Sequence, residues 1–551
     1  MNVLFFILML ISAVLGFLAW PDINFFPLIF VAWIPLFMLE DIARNKNHSL
    51  KKVFLFLYVQ FLLWNLLTTW WVKNASLAGG ILAFVFNSLF MTLPWLLFAY
   101  MRRKYTPLTS YIALLCFWMA FEYIHLNWEL TWPWLTLGNV FAGFPQIVQW
   151  YSYTGVGGGT FWVILVNIVL FRQIQKIQTY NWHEARNIVQ LLRKVLPHSL
   201  LALGLFVVPI VISLIIYSNY TEKGEVVECI VLQPNIDPYN EKFNDAYADE
   251  QLSRFIALSL SEISPQTRYV FWPETSLPGY VWKQQFWQTS SIKKIVTAFK
   301  DYPQVQLIIG ATVLNLYPKD EARTATARPL NKFDVANSDW YDVYNAAIGL
   351  DSTQHFQLYI KSRLVPGVER MPYPQLFRFL ENFAIDLGGI SGSMGVQDEA
   401  DVITFGNNAV APVICYESVF GEYVTEYVRK GANIIAIITN DGWWGNTPGH
   451  RQHLRYASLR ALETRRDIAR SANTGISAFI NQRGDIRQAT TYETEAVIKD
   501  TVHANTELTF YVRYGDYLYR LALLGAIFFL LRLIIRRFSK RFKPALFEHR
   551  Y

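Results

Sequence analysis

Charge is scarce in this chain. Asp, Glu, Lys and Arg make up 17% of its 551 residues, against about 25% in an ordinary soluble domain, which argues against a wholly soluble protein. Cysteine is scarcer still: Cys116, Cys229 and Cys415 cannot build a disulfide framework. Cys116 and Cys229 sit in apolar runs and read as small buried hydrophobes. No Cys-x-x-Cys pair occurs and the nine histidines lack zinc spacing, so no metal site is expected. Neither G-x-G-x-x-G nor a Walker pattern is present, which excludes the common phosphate loops. No repeat of 20–50 residues is visible, which excludes solenoids. Residues 1–20 hold no Lys or Arg, so the basic n-region of a signal peptide is missing and the first apolar run is expected to stay as an anchor. What the chain has in excess is apolar: 53% hydrophobic and 16% aromatic, which excludes disorder. Yet 49 Lys and Arg with 42 Asp and Glu are too many for a chain that is all membrane.

The averages resolve into two materials. A bilayer-spanning helix needs about 20 mainly apolar residues. Residues 3–20, 23–39, 53–72, 78–100, 107–124, 158–171 (lengthened by a Gly-rich approach at 155–159) and 196–217 qualify. Nothing comparable follows until 518–535. The expected organisation is a membrane domain over 1–219 with seven transmembrane helices, a catalytic domain over 220–515, and an eighth helix with a basic cytoplasmic tail over 516–551.

Lys and Arg near span ends set orientation. The 41–52, 101–106 and 172–194 loops and the tail after 531 carry 19 of the 49 basic residues, while the alternate loops hold Lys73 and little else. Both termini are therefore expected in the cytoplasm and the 220–515 domain outside it. The net charge of +7 is a record of topology rather than a nucleic-acid footprint, and no nucleic-acid partner is expected. The 125–157 loop holds Trp128, Trp132, Trp134, Trp150, Tyr151 and Tyr153. It reads as an aromatic belt at the headgroup level or as a re-entrant element under a lipid-facing site. Glu122, near a span end, is a thin basis for transport.

Residues 220–515 alternate short apolar strands with helical patterns, the signature of a layered α/β sheet. Chemistry in such sheets gathers at strand ends, and three strand ends carry suggestive residues. Glu274 follows Phe271-Trp272-Pro273; Lys361 opens Lys361-Ser362-Arg363-Leu364-Val365-Pro366; Cys415 sits at the turn Cys415-Tyr416-Glu417. A thiol with an ordinary pKa of about 8.5 needs help to become a thiolate. A carboxylate can serve as its base, a lysine can stabilise the oxyanion, and a helix beginning at 417 would aim its positive end at Cys415.

In this order the three motifs resemble the carbon–nitrogen hydrolase (nitrilase) superfamily. Thr439-Asn440-Asp441-Gly442-Trp443-Trp444 and Ala472-Asn473-Thr474-Gly475-Ile476-Ser477 also fit. The resemblance implies a polytopic α-helical membrane domain joined to an extracytoplasmic α-β-β-α sandwich with a Glu-Lys-Cys triad. It implies Glu274 as general base, Lys361 as oxyanion stabiliser and Cys415 as nucleophile, with Glu369, Tyr416 and Glu417 in support. Trp272, Phe243, Trp443, Trp444 and Asn440 become candidates for the substrate pocket. The chain departs from the family at Val365-Pro366-Gly367-Val368-Glu369, where the glycine is displaced by one, and at Lys242-Phe243, where a Lys-Trp pair is usual.

With the spans, the resemblance implies an acyltransferase of a bacterial inner membrane. Cys415 would take an acyl chain from a phospholipid and pass it to the α-amine of the S-diacylglyceryl-cysteine that begins an apolipoprotein. No metal or organic cofactor is implied. The rivals are a membrane-tethered amidase or nitrilase and a non-catalytic lipoprotein-binding protein; eight spans exceed what a tether requires, and the intact triad opposes the second. Two aromatic segments, Gly279–Trp287 and Tyr373–Leu387, read either as sheet-packed or as arms dipping into the bilayer. Residues 316–340 read as a polar insertion.

Overall fold

The computed structural model describes residues 2–178, 188–353, 355–373 and 393–541. The end of the basic tail, part of the 172–194 loop and nearly all of the Tyr373–Leu387 segment lie outside the described residues. Seven helices come first: α1 (Asn2–Ala19), α2 (Ile34–Asn45), α3 (Leu50–Thr69), α4 (Leu77–Arg102), α5 (Pro107–Asn127), α6 (Tyr151–Gln178) and α7 (Ile188–Asn219). Their starts follow local chemistry. Ser49, Ser76 and Thr106 accept the amides of Lys52, Gly79 and Thr109, which occupies donors that a helix start leaves unpaired. Pro107 then supplies a helix-ready first position.

The α/β region begins with β1 (Glu225–Gln233), α8 (Ala248–Ser261), β2 (Thr267–Phe271), β3 (Tyr280–Trp282), α9 (Ser290–Phe299) and β4 (Gln306–Leu316). It continues with β5 (Arg328–Pro329), β6 (Trp340–Leu350), β7 (Phe356–Ile360), β8 (Ile403–Phe405) and β9 (Asn408–Ile414). Then come α10 (Gly421–Arg429), β10 (Ile434–Thr439), α11 (Pro448–Thr464), β11 (Ile468–Ala472), β12 (Ala478–Ile480), β13 (Ile486–Arg487) and β14 (Ala496–Ala504), before the final helix α12 (Tyr517–Arg541). Among the described residues, eight helices are long and apolar enough to cross a membrane, the last being Tyr517–Phe538.

The strands form two sheets. One runs β14-β1-β2-β4-β6-β5, with β3 added to β4 and β7 to β6; the other runs β13-β12-β11-β10-β9-β8. Their inner faces meet in one core that joins Val231, Phe271 and Ile308 to Val413, Ile435 and Ala469. Helices α8 and α9 cover the outer face of the first sheet, and α10 and α11 cover the second. The result is an α-β-β-α sandwich. At the end of β2, Phe271 faces the inter-sheet core and the next residue, Trp272, the outer layer, the alternation of an extended chain.

Helix α11 seats the sandwich on the membrane bundle. Tyr456 donates to the carbonyl of Trp134 at 2.7 Å and accepts the indole N–H of Trp20 at 3.1 Å. Arg451 pairs with Asp22 at 2.8 Å, and Arg465 donates to Gln149 at 2.7 Å. The 125–157 loop is part of this seat, so Trp134 and Tyr151 are core residues rather than members of an aromatic belt. It folds into short 3-10 turns over Pro133–Ile147, and Trp134 is buried against Trp71, Trp444 and Tyr456. Gly138 permits this: a Cβ there would lie 2.0 Å from the carbonyl of Val156. The Gly279–Trp287 segment is packed as well, with Phe286 stacked on Phe356 at 3.8 Å.

Candidate active site

The site lies where strand ends of both sheets meet. Glu274 follows β2, Lys361 follows β7, and Cys415 opens a 3-10 turn at the end of β9. Lys361 Nζ lies 3.0 Å from Glu274 Oε1 and 2.8 Å from Glu369 Oε1. Asn345, on β6, donates its amide to both carboxylates, at 2.7 and 3.0 Å. The backbone N–H of Asn440 donates to Glu274 Oε2 at 3.1 Å. Lys242 Nζ donates to the carbonyl of Glu274 at 2.8 Å.

Gly310 on β4 makes this placement of Glu274 possible. A Cβ there would fall 2.3 Å from the carbonyl of Pro273 and 2.7 Å from the Cα of Glu274. Cys415 adopts φ +49°, a left-handed conformation that costs a non-glycine residue about 1–3 kcal/mol. The surroundings over-determine it. Glu417, fully buried, accepts the amides of Ile414 and Ser362 at 2.8 Å each and the hydroxyl of Tyr359 at 2.6 Å. One carboxylate thereby ties the turn of Cys415 to the strand end of Lys361. On the other side His453 lies 2.9 Å from Asp441, 2.8 Å from Ser418 and 3.2 Å from the carbonyl of Cys415. Asp441 is paired in turn with Arg470 at 2.5 Å.

Charge separates the groups. Burial pushes the Glu274 carboxyl up, but the ammonium of Lys361 and the amide of Asn345 outweigh it and hold it below the usual range. Burial pulls Lys361 down, and Glu274 with Glu369 more than restore it, so it stays cationic. Lys242 has fewer partners, and burial lowers it to about 8. Burial, with Glu274 adding, pushes the Cys415 thiol up; Lys361 only partly offsets this. The helix-dipole expectation is corrected accordingly. Residues 415–419 form a 3-10 turn and α10 starts at Gly421, so the helix expected at 417 does not begin beside the sulfur. The resting group is a thiol beside an ionised carboxylate and an ammonium. That arrangement suits proton transfer to Glu274 as the sulfur attacks, with positive charge waiting for the oxyanion.

The other candidates divide. Tyr416 donates to the carbonyl of Thr131 at 3.1 Å and touches Trp134, so it docks the turn onto the membrane domain. Trp444 lies in the same seam, against Trp71 and His453. Phe243 stacks on Trp443 and is 40% exposed, leaving an aromatic surface beside Lys242 and Asn440. Trp272 is not a pocket residue. It faces the outer layer, stacks on Phe255 at 4.7 Å and donates to Ser259 at 3.0 Å. Asn345, Gly310 and the role of Lys242 were not foreseen; only Asn345 left a trace, as a polar residue inside an apolar strand.

The family model of carbon-nitrogen hydrolases matches residues 232–508, the span that carries all of these groups. The chain belongs to the carbon–nitrogen hydrolase family. A second model, the apolipoprotein N-acyltransferase N-terminal domain, matches residues 12–169, so this is a membrane-embedded member. Relatives along nearly the whole length include the apolipoprotein N-acyltransferase of Chlorobaculum tepidum, 29% identical over 93% of this chain and 93% of that one. That of Geobacter metallireducens is 26% identical over 93% and 92%. Apolipoprotein N-acyltransferase 1 of Treponema denticola is 27% identical over 98% of each.

Proposed function

We propose that this protein N-acylates apolipoproteins in a bacterial membrane through an acyl-thioester on Cys415. The observation that carries the reading is the buried Glu274–Lys361–Glu369 cluster beside the strained turn of Cys415, on a sandwich seated over a bundle of apolar helices. A membrane-tethered amidase would share the triad but has no need of the domain over residues 12–169. Both termini lie in the cytoplasm and the sandwich outside it, as the basic loops require.

In the first half-reaction the Cys415 sulfur attacks an ester carbonyl of a phospholipid while Glu274 takes the thiol proton. Lys361 stabilises the oxyanion. The carbon–oxygen ester bond breaks, Glu274 returns the proton to the leaving alkoxide, and a lysophospholipid departs. In the second, the neutral α-amine of the acceptor's diacylglyceryl-cysteine attacks the thioester. Glu274 takes the amine proton, the carbon–sulfur bond breaks, and the proton goes to the thiolate. Glu369 and Asn345 hold Lys361 and Glu274 in place. Water competes at the thioester, and Cys415 is only 8% exposed. Phe243 and Trp443 offer apolar surface to an acyl chain.

The test offers purified protein a phospholipid and a synthetic diacylglyceryl-cysteine peptide. A mass gain of one acyl chain on the peptide is expected, abolished by acetylating its α-amine beforehand. Free fatty acid with no acylated peptide would make the protein a lipase and overturn the reading.

A further inference from the structure

A second place in the molecule is shaped for lipid. Between α4, α5 and α12 lies a groove of about 350 Å³, walled by apolar side chains such as Phe90, Leu97, Phe117 and Leu523. It runs beside α5 from Phe117 to Trp128, about 16 Å of helical rise. That is half of a ~30 Å hydrocarbon core, the depth of one leaflet.

Its only polar end is formed by His125 and Trp128, whose rings lie 5.3 Å apart. Hydrogen-bond direction fixes the histidine. The Phe61 carbonyl can only accept, so it takes the amide of Asn65 at 2.8 Å. Asn65 Oδ1 then accepts from Asn87 at 2.7 Å, which leaves Asn87 Oδ1 facing His125 Nε2 at 2.9 Å. In the neutral ring Nε2 therefore carries the hydrogen and Nδ1 a bare lone pair. His125 is 5% exposed, and among the described residues neither its Nδ1 nor the buried Nε1–H of Trp128 has a partner. An unpaired acceptor and an unpaired donor thus sit on neighbouring rings at the head of an apolar, one-leaflet groove, just behind its wall. A hydroxyl donates and accepts at one oxygen and satisfies both once the two rings part to admit it. The ester oxygens of a two-chain phospholipid only accept.

We infer that this groove holds a lysophospholipid, its single acyl chain along α5 and its free glycerol hydroxyl between His125 Nδ1 and Trp128 Nε1. The inference rests on the acyl-transfer reading, since the first half-reaction releases such a molecule, and it gives that product a seat of its own. Its position suits that role. Three residues beyond Trp128, Thr131 meets Tyr416, the neighbour of Cys415.

The test uses full-length protein carrying Cys415→Ala, in nanodiscs, so that no reaction enters the readout. The probe is lysophosphatidylethanolamine with a diazirine in its chain, and adducts are mapped by mass spectrometry. Labelling of α5 and α12 peptides is expected, with marked loss for a deoxy analogue that lacks the hydroxyl. Trp128→Phe should narrow the difference between the two probes, and Ile527→Trp, which fills the groove, should abolish labelling by both. Equal labelling of the unfilled groove by the deoxy probe, or preferential labelling by a two-chain phospholipid, would overturn the inference. An absent acyl-enzyme in wild-type protein would be a separate result, read at Cys415 rather than in the groove.

Discussion

In the membrane bundle, Glu122 of α5 receives the indole N–H of Trp118 and the amide of Leu137 on one oxygen. It receives the hydroxyls of Thr160 and Tyr519 on the other. In the sandwich, Glu274 receives the ammonium of Lys361, the amide of Asn345 and the N–H of Asn440. Both carboxyls are buried and fully bonded, but the partners differ in kind. Glu122 gathers neutral donors from four segments and acts as a tie between α5, α6, α12 and the loop at Leu137, not as a transport site. Glu274 faces the ammonium of Lys361, with the Cys415 thiol close enough to feel its charge, and can exchange a proton. Burial of a carboxyl therefore does not by itself mark chemistry; the charge and reactivity of what faces it do.

Replacing each carboxyl by its amide tests that contrast most strongly at Glu274. Glu274→Gln should keep the fold and lower acyl transfer by about 10²–10⁴-fold, measured on the lipopeptide. Because Lys361 holds the folded carboxyl below its ordinary value, Glu274 is ionised at neutral pH. Its contribution to stability is present above the unfolded carboxylate range and is lost as pH falls through the lower folded value. The wild-type rate should show an acid limb, and Glu274→Gln should lack it.

Lys361→Met comes next. Loss of the oxyanion charge should cost on the order of 10²–10³-fold in rate. It should also lower stability more than the first variant, by about 3–5 kcal/mol, because two buried carboxylates are left facing each other; denaturant titration reads this. A smaller effect is expected from Gly310→Ala. Its Cβ displaces the loop of Glu274 without touching the triad's chemistry, and a shift approaching 1 Å can cost about 10²-fold. The smallest is expected at Glu122. Glu122→Gln keeps an acceptor for Trp118 and Leu137 and offers an amide to two hydroxyls that can rotate to accept. Stability should stay within about 1 kcal/mol and the pH profile should not move.

The same contrast explains what could be read from the sequence. The spans were legible because apolar length is a one-dimensional property. Glu274, Lys361 and Cys415 were legible because each closes a strand with a distinctive neighbourhood. Trp272 misled because a strand sends adjacent residues to opposite faces: Phe271 lines the inter-sheet core, so its neighbour cannot. The helix expected at 417 failed because Phe420 is extended, with φ −95° and ψ 102°, and splits the segment into a 3-10 turn and a later helix. Lys242 was invisible as a buried group because lysines are rarely buried, and it took the fold to set it against the Glu274 carbonyl. Gly310 and Asn345 act through contacts across the sheet, which no local pattern encodes.

One measurement bears directly on the thioester. Purified wild-type protein and Cys415→Ala are each incubated with a phospholipid of defined chains and weighed intact. A mass gain of one acyl chain on the wild type, released by neutral hydroxylamine and absent from Cys415→Ala, is the predicted result. No adduct on the wild type while it still acylates the lipopeptide, or an adduct that survives Cys415→Ala, would contradict it.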